Sequence, residues 1–224
     1  MSFFATWLDS TLAGFDGAVI NFMHALAVSA GTVLTPLMRF ITLIGEKGLI
    51  VLILALVLMC FSKTRRAGIC VFGAVCCGAL ITSICLKDAV ARMRPLEASE
   101  TYRAFWQFVG APFEDGFSFP SGHVTAVMAG LSALCASLGK NGKKYIIPCA
   151  VFVLLMGMSR VYLMAHYPSD VIGAILVGAL SAVIAFFITK LIYKLLQKYS
   201  DNVFCRFVLK FDVCRAYNKK QKTN

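Results

Sequence analysis

The chain has 224 residues, 59% of them hydrophobic and 15% charged, with a mean hydropathy of +0.78; one soluble core cannot hide so much apolar surface, and a bilayer is the expected solvent. The net charge of +11 does not argue for nucleic acid, because the basic residues gather in short segments between apolar runs and in the tail, the pattern of positive-inside topology and contact with anionic lipid. Nine cysteines, with Cys60, Cys70, Cys76, Cys77, Cys85, Cys135 and Cys149 inside the apolar runs and no C-x-x-C pair matched by histidines, read as small apolar packing residues rather than a disulfide framework or zinc site.

In chain order, Met1 to Ser10 lacks a basic n-region and carries Asp9 where a small-residue cleavage site would stand, so it does not read as a cleaved signal peptide. Residues 1–20 mix Phe3, Phe4, Trp7, Leu8, Leu12 and Phe15 with Asp9 and Asp16, an amphipathic pattern expected to lie on the membrane surface. Six apolar segments are marked by where charge stops and restarts: Gly17 to Ile44, Gly48 to Phe61, Ala67 to Leu86, Val124 to Gly139, Tyr145 to Ala165, and Val171 to Lys194. The third is free of charge and meets the roughly 20-residue length of a span. The second has only about fifteen residues between Lys47 and Lys63, so it crosses with help from snorkelling lysines or local thinning, or is re-entrant.

The expected fold is all-α: a polytopic membrane protein with six transmembrane helices and an N-terminal amphipathic interfacial helix, one membrane-embedded domain over residues 1–200. Residues 201–224 are expected to form a cytoplasmic tail in which Phe204, Phe207, Val208 and Phe211 alternate with Arg206, Lys210 and Arg215. The tail ends in a polar run, Asn218 to Asn224, expected to be disordered. Cys205 and Cys214 there would meet a reducing compartment, with acylation as an alternative fate.

Basic residues also set orientation. Lys63, Arg65 and Arg66, then Lys140, Lys143 and Lys144, then the tail fall on one side if the segments alternate. That side is expected to be cytoplasmic and to hold both termini, with the polar clusters on the outer face of a cell membrane.

Three clusters at segment ends carry the chemistry, because ionisable groups at membrane depth are costly unless they are interfacial, paired or functional. Lys87 and Arg94 would share one face, two turns apart, if the third helix continued, after which Pro95 stops it; headgroup anchoring is the bland alternative. Pro120-Ser121-Gly122-His123 opens the fourth segment, where free backbone N–H groups and the helix dipole favour an anion, Gly122 allows close approach and Ser121 can cap. Ser159 and Arg160 lie inside an apolar run, and His166 and Asp170 flank Pro168 at the start of the last segment. A carboxylate at Asp170 can accept from one imidazole nitrogen of His166 and leave the other free as a nucleophile.

Lysine, six residues, Arg-Pro; Pro-Ser-Gly-His; and Ser-Arg, five residues, His, three residues, Asp together resemble the three-part signature of the type 2 phosphatidic acid phosphatase family, shared with vanadium haloperoxidases and bacterial class A acid phosphatases. The resemblance spans Lys87 to Asp170 without a departure at any signature position, and the six-segment layout extends it over most of the chain. It implies that His166 attacks phosphorus to give a phosphohistidine, that Asp170 orients it and that His123 protonates the leaving oxygen. Lys87, Arg94, Ser121, Gly122, Ser159 and Arg160 would hold the phosphoryl oxygens, with no metal and no cofactor.

The expected activity is a metal-independent membrane lipid phosphate or diphosphate phosphatase at the outer face. Undecaprenyl diphosphate is the first substrate, and phosphatidylglycerophosphate and phosphatidic acid are alternatives. A lipid-headgroup or anion transporter without hydrolysis is the reading from another class, and a haloperoxidase is disfavoured by the apolar segments. The expected partners are lipid phosphate and the bilayer, with no nucleic acid. His24 reads as structural or interfacial; Arg39, Glu46-Lys47, and Arg103 with Trp106 and Phe108 read as interfacial anchors or walls of a headgroup pocket. Gly173 and Gly178 permit close helix packing within or between chains.

Overall fold

Helices begin and end where the apolar runs meet their charge and glycine stops. The structure, a computed structural model, describes residues 2–213 apart from the side chain of Lys47, so the expectations for Cys214, Arg215 and the polar run Asn218 to Asn224 lie outside the described residues. Among those residues every regular element is helical.

Helix α1 (Phe3–Thr11) is capped by Ser2, whose Oγ accepts from the amide of Ala5. Helix α2 (Ala13–Ile44) breaks its helical geometry at Ala30, beside Gly31 and shortly before Pro36. Gly45 and Gly48, the latter at φ 72°, turn the chain into α3 (Leu49–Met59). Helix α4 (Arg65–Leu80) continues through a π-helical stretch, Ile81–Leu86, into α5 (Lys87–Val90), and left-handed Ala91 at φ 51° ends the rod. The long connection holds α6 (Pro95–Ala98) and α7 (Glu100–Val109). Then come α8 (Gly122–Ser137), a 3₁₀ turn at Gly139–Tyr145, α9 (Ile146–Tyr162), α10 (Pro168–Lys198) and α11 (Val203–Lys210).

Small residues let α4, α8 and α10 pack closely at the centre: Ala74, Ala126, Ala129, Ala133, Ala182 and Ala185 are all buried there. Gly178 of α10 lies so near α8 that a Cβ would sit 2.8 Å from the carbonyl oxygen of Thr125, and Gly173 backs onto the ring of Phe119. Both glycines thus pack within the chain. The outward face of α10 carries Leu176, Leu180, Val183 and Phe187, large and exposed. That inversion, small inside and large outside, suits a lipid solvent. Four segments are long and apolar enough to cross a membrane, Ala13–Ile44, Arg65–Ala98, Gly139–Tyr162 and Pro168–Lys198, while α3 and α8 are apolar but shorter.

The two described ends of the chain lie at opposite ends of the rod from Arg65 to Val90. At one, Arg65 donates to the carbonyls of Met59 at 2.8 Å and Val208 at 2.6 Å, and Asp212 accepts from the amide and hydroxyl of Ser62 at 2.8 and 2.7 Å. At the other, Ser2 donates to the carbonyl of Val90, and Asp9 pairs with Arg92 at 2.8 Å. Both termini were expected on one side, away from the polar clusters; instead α1 sits with the clusters, because buried Arg92 gathers the carboxylates of Asp9 and Asp16.

Helix α2 accordingly differs from the first of six spans. Its start, at Asp16, is bonded beside Arg92 and Ser169. Beyond the break, Thr35 meets the hydroxyl of Tyr162, Thr42 meets Ser159, Gly45 abuts Met156, and Val51 of α3 packs against Gly130. The arm after Gly31 and α3 therefore descend as one broken passage, and the arm before Ala30 is a belt against α7. Besides this broken stretch, α4 to α5, α8, α9 and α10 run between the two ends of the bundle. Of the six expected spans, α3 and α8 are shorter than the length of a lone crossing helix.

Candidate active site

Lys87, Arg94, Gly122, His123 and His166 line one cavity of about 690 Å³, walled deeper by Val75, Ala79, Thr82 and Ala126. It opens where α5, α8 and α10 begin or end, so the three sequence clusters meet at one end of the bundle.

The cations do not arrive as the spacing suggested. Left-handed Ala91 stops the helix before Arg94, which stands in extended geometry as the N-cap of α6. Lys87 and Arg94 therefore do not share a helical face, yet both reach the cavity. Arg94 is fixed by its backbone partners: Nε donates to Gly116 at 2.9 Å, Nη1 to Ala165 at 2.7 Å and Nη2 to Asp115 at 3.1 Å. Buried Arg160 pairs with Glu114, whose other oxygen lies 3.4 Å from Arg94.

Ser121 is the N-cap residue of α8, but its side chain makes no capping bond, contrary to the expected cap. Gly122 presents an open face, since a Cβ there would meet no atom within 4 Å. The hydroxyl of Ser159 donates to the carbonyl of Met156 at 2.7 Å and bonds the hydroxyl of Thr42 at 2.9 Å. Ser159 thus reaches the cavity wall through Thr42.

His166 is buried in the turn between α9 and α10, with Nδ1 3.8 Å from Oδ2 of Asp170. The expected His166–Asp170 hydrogen bond is thus lengthened to an ion-pair distance. Asp170 is held on its other sides by Arg92 Nη1 at 2.5 Å on Oδ1, and by the hydroxyl of Ser118 at 2.5 Å and the amide of Tyr167 at 2.8 Å on Oδ2. Three buried side-chain atoms lack a hydrogen-bond partner among the described residues, Ser121 Oγ, Arg160 Nε and His166 Nδ1. An unmade bond in a buried site costs on the order of 1–3 kcal/mol. Of the three, only His166 is itself a lining residue of the cavity, and its Nδ1 faces Asp170.

Charge in the connecting segments is polarised. Burial pushes the Glu114 carboxyl up, but the Arg160 guanidinium beside it, with Arg94, holds it well below the usual range and therefore ionised. Burial lowers the His166 imidazole, and Arg160 and Arg94 lower it further against the pull of Asp170, leaving it neutral down to about 4. Among the described residues no group of three His, Cys, Asp or Glu is placed to hold a metal ion.

Arg92, Glu114 and Ser118 escaped the sequence reading. Arg92 is two residues from Arg94 and equal to it in type, and Glu114 sits among other acidic residues of a loop; only a charge at membrane depth without a stated partner could have flagged the first. Of the residues read as anchors or pocket walls, Glu46 lines the cavity. Arg39 donates to the carbonyls of Val109 and Gly110 and so caps α7. Arg103 bonds Leu96 and Glu100, and the indole of Trp106 donates to Pro112. His24 packs edge-on against Phe105 and Phe108.

Residues 67–194 match the model of the PAP2 superfamily. The chain is 28% identical over 172 residues to the undecaprenyl-diphosphatase BcrC of Bacillus subtilis, covering 75% of this chain and 81% of that one. It is 41% identical over 97 residues to a lipid A 1-phosphatase of Rhizobium johnstonii, of whose length it covers 36%, and 38% of a second such enzyme, from Rhizobium etli, is covered likewise. A crystal structure of a transmembrane PAP2-type phosphatidylglycerophosphate phosphatase from Bacillus subtilis superposes with a TM-score of 0.62 at 25% identity, over 84% of this chain and 89% of that one.

Proposed function

The chain belongs to the PAP2 superfamily, and from that premise we propose that it is a metal-independent phosphatase of membrane lipid phosphates working through a phosphohistidine. The observation that carries this reading is the meeting of His123 and His166 with Lys87 and Arg94 in one cavity, since a conduit for anions has no use for an oriented neutral imidazole. Nε2 of His166, on the ring edge away from Asp170, attacks phosphorus as the bond to the leaving oxygen breaks. His123 gives that oxygen its proton. Water then attacks the phosphohistidine, passes its proton to His123, and phosphate leaves with His166 restored.

Lys87, Arg94 and Arg160 carry positive charge at the phosphoryl oxygens, and the α8 N-terminus at Ser121 and Gly122 adds backbone donors. Ser159 holds Thr42 at the cavity wall. The Glu114 carboxylate balances Arg160 and Arg94, so an incoming phosphoryl group competes with it for both.

The proposed substrate is a polyprenyl diphosphate, supported by likeness to BcrC over most of both chains. The structural likeness to a phosphatidylglycerophosphate phosphatase favours a second reading with that glycerolipid. In either case the phosphate enters the cavity while the apolar tail stays among the exposed leucines and phenylalanines. The proposed topology puts the amino terminus on the catalytic side, facing outward, and the basic turns with the tail in the cytoplasm, a reading supported by the contact of Asp9 with Arg92 and by the positive charge of those turns. Rapid quenching of enzyme with labelled substrate should trap an acid-labile phosphoryl group at His166; its absence during turnover would overturn the covalent route.

A further inference from the structure

We infer that Arg92, together with Asp9 and Asp16 from the amino-terminal helices, is a positioning device that sets the orientation of Asp170 and thereby of His166; the inference rests on the phosphatase reading above. Arg92 is among the largest fully buried side chains of the protein, and its guanidinium is divided among three carboxylates. Nε donates to Asp9 at 2.8 Å, Nη2 to Asp16 at 2.9 Å, and Nη1 to Asp170 at 2.5 Å and to the hydroxyl of Ser169 at 2.7 Å. Its face lies 4.0 Å over the ring of Tyr167.

Each contact removes a freedom from Asp170. The planar fork admits one orientation when it serves carboxylates on three sides, which a lysine ammonium could not reproduce. Asp16 accepts at the same time from the amide of Ser169 at 2.8 Å and from its hydroxyl at 2.6 Å, so it clamps the first turn of α10, on which Asp170 stands. Asp170 thereby has Oδ1 committed to Arg92 and presents Oδ2 to His166. Three carboxylates on one arginine leave the cluster negative overall, so Arg92 orients Asp170 without cancelling the charge that stabilises a phosphorylated or protonated imidazole. The arrangement also gives the belt of α1 and α2 a role in the chemistry, since it carries two of the three anions to the site.

The test is a double-mutant cycle on phosphate release by the full-length protein in detergent, with Arg92→Gln, Asp170→Asn and the pair. If Arg92 acts through Asp170, Arg92→Gln lowers kcat roughly a hundredfold with little change in KM, and lowers it less than about threefold further once Asp170 is already Asn. Equal factors in both backgrounds, or wild-type kinetics for Arg92→Gln, would overturn the inference. Should Arg92→Gln fail to fold, Asp16→Asn takes its place in the same cycle, and its smaller loss must likewise vanish beside Asp170→Asn. A wild-type protein that releases no phosphate contradicts the phosphatase reading instead, so the two failures are told apart.

Discussion

Asp170 points one oxygen at Arg92, 2.5 Å away, and the other at Nδ1 of His166, 3.8 Å away. The carboxylate lies closer to the arginine than to the imidazole, so its position is set by Arg92 while its other oxygen faces the histidine.

Replacing the carboxylate while keeping its shape should therefore strike turnover. Asp170→Asn is expected to lower kcat about ten-thousandfold, the scale seen when an orienting carboxylate is lost from a histidine, with KM nearly unchanged. A loss confined to KM would mean that Asp170 serves binding alone.

Glu114 occupies the guanidinium of Arg160 that a phosphoryl oxygen would use. Glu114→Gln should tighten inhibition by vanadate or phosphate roughly tenfold, about 1.4 kcal/mol for one competing charge, measured as the inhibition constant at pH 7. Weaker inhibition would show that the carboxylate helps hold the anion.

Burial, then Arg160 and Arg94, keep the His166 imidazole neutral down to about pH 4. The nucleophile is the neutral form, so the acid limb of kcat/KM assigned to His166 should lie below the ordinary histidine value of about 6.5. The same depression costs stability on acidification. Between about 6.5 and 4 the unfolded chain binds a proton that the folded site refuses, so the midpoint of unfolding should fall as pH drops through that window. An acid limb of kcat/KM lying above about 6.5, or an unfolding midpoint unchanged between about pH 6.5 and 4, would contradict this.

Much of the site was readable in the residue pattern, because lysine, arginine and histidine inside apolar runs are conspicuous. Two kinds of feature were hidden. Backbone geometry was one: nothing in Lys87 to Arg94 announces that Ala91 turns left-handed, and the belt of α2 has the composition of a span. Partnership was the other, since Arg92 differs from Arg94 only in the carboxylates that reach it from α1 and α2.

That belt makes the topology testable. Reporter tags at the two ends of the chain should be accessible from opposite faces of the membrane, the amino-terminal one from the side that also exposes the long connection around Glu100. Both tags answering from one face would restore an even number of passages.

At the centre, Gly178 meets the Thr125 carbonyl. Gly178→Val should cost about 2 kcal/mol from forced overpacking and lower the melting temperature in detergent; an unchanged melting temperature would mean that α8 and α10 part more easily than their small-residue seam implies.

The most direct measurement is phosphate release by the purified protein in detergent with EDTA present, from undecaprenyl diphosphate, phosphatidylglycerophosphate and phosphatidic acid, with His166→Ala as control. Release from at least one lipid, undiminished by the chelator and abolished in His166→Ala, is expected. Release that survives the loss of His166, or a folded protein that binds vanadate yet frees no phosphate from any of the three, would contradict a histidine-centred lipid phosphatase.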